Sequence, residues 1–237
     1  MEEDFENNFA EDPRFSVERY EEMIRNHDQY FFDAQAFENI IDYYIEKNDP
    51  VKALQVIDYA VNQHPFAAVF HLKQAQLFLA TAQLDKAFIA LNKAETLEPS
   101  EAEIYVIRGN IYEALERHQE ALDNYHRALE LAENQDEILL HVAYVHQNMG
   151  EYEQAVTYLK KCLEHNMENQ DALYELAFCY DVLDKQEESV RFYQQYIDNE
   201  PYSYAAWYNL GNAYNKMGLF EKAIDAYDYA ILIKDNF

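Results

Sequence analysis

Apolar residues along this chain fall into pairs of helical sets, and each pair returns after thirty-four residues. In the 102–135 stretch, Tyr105, Gly109 and Tyr112 mark one helical face, and Ala121, Tyr125 and Ala128 mark the next. The first set heads three columns. The leading column is Phe37, His71, Tyr105, Leu139, Leu173, Trp207; the small column is Ile41, Ala75, Gly109, Ala143, Ala177, Gly211; the large column is Tyr44, Phe78, Tyr112, His146, Tyr180, Tyr214. The second set gives Ala53, Ala87, Ala121, Ala155, Ser189, Ala223. Ile57, Leu91, Tyr125, Leu159, Tyr193, Tyr227 follow, then Ala60, Ala94, Ala128, Cys162, Tyr196, Ala230.

Glycine and proline keep the same register. Gly109 and Gly211 share the small column, Gly150 and Gly218 the turn between helices, and Pro65, Pro99 and Pro201 the end of the second helix. Both residues act on the backbone, so backbone geometry repeats together with side chains. The predicted repeats are 34–67, 68–101, 102–135, 136–169, 170–203 and 204–237. In each, a first helix covers about the first fourteen positions and a second covers positions seventeen to thirty. Small residues let two helices approach, and a large residue from the facing helix fills the remaining space.

The arrangement W-x2-L-G-x2-Y…A-x3-Y…A, carried by Trp207, Leu210, Gly211, Tyr214, Ala223, Tyr227 and Ala230, resembles the tetratricopeptide repeat over 34–237. Gln74, Arg108, Ile41 and Tyr196 depart from it. The resemblance implies an all-α fold, a right-handed superhelical solenoid of antiparallel helix pairs. It also implies first helices that line a concave, partner-binding face.

Ahead of the repeats, residues 1–15 read as an acidic flexible tail whose Phe5 and Phe9 could serve as a docking motif. Residues 16–33 read as a capping helix and connector. Ser16 is its N-cap, Val17, Tyr20, Met23 and Ile24 lie on one face, and it ends near His27. Tyr30-Phe31-Phe32 then leads to Asp33, the expected N-cap of the first repeat helix. At the other end, Ile224, Tyr227, Ile231 and Ile233 are expected to lie uncovered, which points to a fragment of a longer protein or to self-association there.

Charge narrows the partners. With 45 acidic residues against 18 basic and a formal charge of −27, the chain repels phosphate backbones and anionic membrane surfaces. No apolar run reaches membrane-spanning length and no secretory signal follows Met1, so a cytoplasmic location without membrane insertion is expected. Cys162 and Cys179 read as buried free thiols.

No catalytic, cofactor or metal constellation emerges. The eight histidines form no i, i+4 pair and no zinc spacing with cysteine. His146 is expected in the core and His141 at the surface. The chain is read as a non-enzyme needing no cofactor.

Helical geometry places two further columns a quarter-turn from the core stripe of each first helix. They are Glu38, Leu72, Val106, Leu140, Tyr174, Tyr208 and Asp42, Gln76, Asn110, Tyr144, Phe178, Asn212, flanked by Glu103, Glu137 and Asp171. This acidic, aromatic lining suits a protein or peptide with basic and apolar side chains. The columns contain no lysine or arginine, which disfavours the acidic chaperone tails that some relatives grip. Two other readings fit the resemblance: a chaperone-like holder of an export substrate, and the regulatory or anchoring region of a larger enzyme.

Overall fold

The structure, a computed structural model, describes residues 13–235. Helices α1 (Pro13–Asn26), α2 (Ala34–Glu46), α3 (Pro50–Gln63), α4 (Ala68–Ala80), α5 (Leu84–Leu97) and α6 (Ala102–Ala114) come first. Then follow α7 (His118–Leu131), α8 (Asp136–Asn148), α9 (Tyr152–His165), α10 (Gln170–Val182), α11 (Gln186–Asn199), α12 (Tyr204–Lys216) and α13 (Phe220–Asp235). The described residues contain no strand. From α2 onward, first and second helices begin at the same two offsets in every repeat, as the columns predict.

One turn recurs between the two helices of each pair. The residues at its centre are Asn48, Ala82, Glu116, Gly150, Asp184 and Gly218, and all six have φ between 54° and 76°. The next N–H reaches back to the carbonyl of the large column: Asp49 to Tyr44 at 2.9 Å, Gln83 to Phe78 at 2.7 Å, Leu219 to Tyr214 at 2.9 Å. This left-handed closure satisfies carbonyls that the helix end would otherwise orphan.

The chain divides into two compact units, one ending at Ile111 and one starting at Tyr112. In the first unit α1 packs on α2, α2 on α3, α3 on α4 and α4 on α5. Helix α1 starts at Pro13, a residue suited to a first turn because its missing N–H would be unpaired there anyway. Ser16 is therefore buried inside the helix and is not its cap. Val17, Tyr20 and Met23 are buried as expected, whereas Ile24 is exposed. Residues 1–12 of the expected tail lie outside the described residues, and Phe15 belongs to α1.

Tyr20 meets Phe32, Tyr44 and Tyr59 edge-on at 5.9–6.5 Å between ring centres. The connector is pinned by the end of α3. Gln63 donates to the Tyr30 carbonyl at 2.8 Å and accepts from the Phe32 N–H at 3.1 Å. Asp33 accepts from the Ala36 N–H at 2.8 Å, confirming the N-cap read from sequence.

In the second unit each helix from α7 to α13 packs on the next, and α10 also packs on α12. A single apolar cluster runs from Leu139 through Leu159, Leu176, Tyr193 and Leu210 to Ala226. Gly211 shows why the small column must be small. A Cβ built there would lie 2.6 Å from the Tyr227 ring, so glycine is what allows that tyrosine to lie across α12. Cys162 and Cys179 are buried free thiols; burial pushes the Cys162 thiol up to about 12. His146 is buried against Tyr158, with its Nδ1 2.8 Å from Glu151. His141 is half-buried, stacked on Tyr125 at 5.3 Å, and burial lowers its proton affinity.

Candidate functional site

In the first unit the predicted lining is largely engaged with the protein itself. Leu72 is buried with Ala75 and Ile104, so it belongs to the core and not to a groove. Asp42 pairs with Lys73 at 2.6 Å, and Gln76 donates to Glu103. Desolvation and the neighbouring Glu101 hold the Glu103 carboxyl above its usual range. Glu38, Val106 and Asn110 are half-buried.

In the second unit the lining opens. Glu137 and Asp171 are exposed, Leu140 packs partly into the core, and Tyr144 is half-buried. Burial, with Glu175 and Asp171 nearby, raises the Tyr144 phenol. Tyr174, Phe178 and Tyr208 are exposed at 39%, 51% and 47%, although large aromatic rings gain most by being covered. The Tyr152 ring supports Phe178 edge-on at 6.1 Å. Asn212 accepts a hydrogen bond from the Tyr227 hydroxyl at 2.8 Å.

Tyr174, Phe178, Tyr208 and Asn212 converge on one cavity of about 310 Å3 between α10 and α12. Its remaining walls include residues the columns missed: Asp181, Gln186, Asn209, Asn215 and Lys216. Lys216 donates to Asp181, and Gln186 donates to the same carboxylate at 3.3 Å. Asp181 lies three residues past Phe178, and Lys216 four past Asn212, so one more helical turn along the same faces would have reached both. The projected columns themselves hold no lysine or arginine, and the cation that lines this cavity, Lys216, is held by Asp181.

Asn209 is nearly fully buried at the cavity floor. Its Nδ2 donates to the Leu173 carbonyl at 3.2 Å and lies 3.4 Å from the Tyr193 hydroxyl, which donates to the same carbonyl at 2.6 Å. The floor is thus closed by hydrogen bonds and the rim is aromatic. Such a site can accept an apolar side chain among the rings and a polar group at the amides and the Asp181–Lys216 pair. Among the described residues no group of three or more His, Cys, Asp or Glu side chains could hold a metal ion. Nor is any described helix long and apolar enough to cross a membrane.

Helix hairpins repeated at a fixed spacing, with small residues under large ones, define an α-helical repeat protein. Tetratricopeptide repeat patterns match residues 102–135, 136–166, 171–203 and 204–237, together more than half of the chain. The chain belongs to the tetratricopeptide repeat family. Comparison with characterised protein sequences gives no match.

Among solved structures it is similar to YrrB, described as a tetratricopeptide repeat protein with an unusual peptide-binding site. The identity is 24%, 76% of this chain and 92% of that one are covered, and the TM-score is 0.53. It is also similar to Pseudomonas aeruginosa PilF (17% identity, 86% and 91% covered, TM-score 0.65). PilW, a type IV pilus biogenesis factor, matches comparably (20% identity, 86% and 93% covered, TM-score 0.62). At these identities the likeness concerns the fold.

Proposed function

We propose that the chain is a non-catalytic scaffold that holds a peptide or helix of a partner protein on the first-helix face of its second unit. Proteins of this family are generally non-catalytic interaction scaffolds, and YrrB is described as binding peptide. The observation that carries the reading is the open aromatic rim of Tyr174, Phe178 and Tyr208 around the amide- and carboxylate-lined cavity. Those rings offer hot-spot contacts, and the exposed Asp171 favours a basic group in the bound segment.

The test is affinity capture with the wild-type chain and with a Phe178→Ala/Tyr208→Ala variant, followed by mass spectrometry and titration of the captured partner. Partners lost only in the variant support the reading; an unchanged set of partners overturns it. Salt separates a charge-led scaffold from an apolar holder of the chaperone type. Binding through Asp171 weakens as salt rises, and ring burial alone does not.

A further inference from the structure

A second cavity, of about 460 Å3, opens on the second-helix face of the second unit, walled by α11, α12 and α13. It shares no lining residue with the α10–α12 cavity, and its chemistry is independent of that site. The Trp207 indole stacks on the Tyr229 ring at 4.6 Å with 28° between the planes, and Tyr229 is exposed. The indole N–H donates to the Pro201 carbonyl at 2.9 Å, so the pair presents π surface and no free donor. Asp198 and Asp225 line the same cavity and are exposed. Neither takes part in a hydrogen bond or an ion pair among the described residues. Gln194 donates to the Tyr214 hydroxyl at 2.8 Å, which leaves its Oε1 to accept.

The preceding repeats show how this cavity arises. Thirty-four residues before Ala226 and Tyr214 stand Phe192 and Tyr180, whose rings lie 6.4 Å apart. One repeat earlier, Tyr158 stacks on His146 at 5.3 Å. Alanine at 226 removes the ring that fills this place and leaves space beside Tyr214. The charges change as well. Lys160 holds its ammonium 5.6 Å from both the Tyr180 and the Phe192 ring centres, and its counterpart here is the neutral Gln194. Arg191 likewise gives way to Asp225. The cation in the lining is Lys222, which reaches Tyr214 from α13, 5.5 Å from the ring centre.

This face is open in the internal repeats too. Arg191 and Gln195, the counterparts of Asp225 and Tyr229, are exposed although α12 and α13 follow them, and so are Thr157 and Lys161 one repeat earlier. Ile224 and Ile231, expected to lie uncovered, are exposed on the opposite side of α13, and Ile233 is half-buried. We infer that the cavity binds an arginine side chain of a partner protein. The aliphatic stem takes the space of the missing ring. The guanidinium stacks on the Trp207–Tyr229 pair and donates to Asp198, Asp225 and the Gln194 Oε1. A flat cation with five N–H donors matches a π wall set among several acceptors, whereas an ammonium offers neither plane nor fork. Two unpaired carboxylates against Lys222 alone give the cavity a local balance that favours the incoming cation.

Trp207 is the only tryptophan in the chain, so its fluorescence reports occupancy of this cavity directly. The full chain is titrated at constant ionic strength with N-acetyl-arginine amide, N-acetyl-lysine amide and N-acetyl-citrulline amide, the last having arginine's shape without its charge. The expected result is a saturable change with the arginine amide, at least threefold weaker for lysine and at least fivefold weaker for citrulline. Asp198→Asn and Asp225→Asn should each weaken arginine binding at least threefold, and Lys222→Ala should tighten it at least twofold. Asp171→Asn, on the first-helix face, should change it less than twofold. All four substituted side chains are exposed, and an unchanged melting temperature identifies variants that have kept their fold. The proposal is overturned by an unsaturable response, by citrulline or lysine binding as tightly as arginine, or by indifference to both cavity aspartates. A loss in Asp171→Asn equal to that in Asp225→Asn would assign the effect to overall charge and overturn it as well.

Discussion

The two units share one repeat and present it differently. In the first, polar groups on the first helices are engaged within the protein: Lys73 with Asp42, Gln76 with Glu103, and Arg108 on α6 with Glu95 of the second helix α5 at 2.7 Å. In the second, the corresponding columns carry Tyr174, Phe178 and Tyr208, which no neighbour covers completely. The core columns are under the same packing constraint in both, so the fold repeats. The columns a quarter-turn away are constrained only by what they meet, so recognition is free to concentrate in one unit.

This contrast can be broken by mutation. The largest effect is expected from Phe178→Ala/Tyr208→Ala, which removes two exposed rings without opening the core. Each ring contributes about 1–2 kcal/mol to partner binding, so the pair should weaken it roughly a hundredfold by titration calorimetry, with the melting temperature unchanged. Next comes Gly211→Ala. The added methyl meets the Tyr227 ring and should cost about 1–3 kcal/mol of stability in urea denaturation. Combining it with Tyr227→Leu should recover much of that loss, because alanine already sits opposite leucine in the Ala143/Leu159 and Ala75/Leu91 pairs. A double-mutant cycle with no coupling would refute the close-contact explanation.

Asp42→Ala tests the first unit. Breaking its partly exposed pair with Lys73 should cost below about 1 kcal/mol, and partner binding should stay within twofold. A large binding loss would move the site into the first unit. The smallest expected effect concerns the thiols. Iodoacetamide at pH 8 should leave Cys162 and Cys179 unlabelled in the native chain and label both in denaturant. Burial raises both thiols, and the reactive thiolate forms only as pH approaches the raised value.

The thirty-four-residue period located the helices from α2 onward and the tight pairing of small with large residues, and a local capping rule located Asp33. The first two depend on backbone proximity that recurs in every repeat. The period failed where one repeat's neighbours differ from the average. Leu72 falls into the first unit's core because Ala75, Ala87 and Ile104 lie around it. His141 is drawn inward by the Tyr125 ring. Asp181 and Lys216 were missed because the projected columns stopped one turn short of the cavity they close. Helix α1 lies outside the repeat, so only local rules applied there, and Pro13 began it a turn before Ser16.

The six left-handed turns have a further consequence. Two are glycine, but Asn48, Ala82, Glu116 and Asp184 hold the same φ with side chains that resist it. Replacing Ala82 or Glu116 by glycine should relieve about 0.5–1 kcal/mol at each hairpin, measurable as a rise in the denaturation midpoint. The exposed rings lie on helix faces and not in these turns. Durability and partner choice are therefore inherited through different positions, and this architecture can be hardened or loosened without altering what it grips.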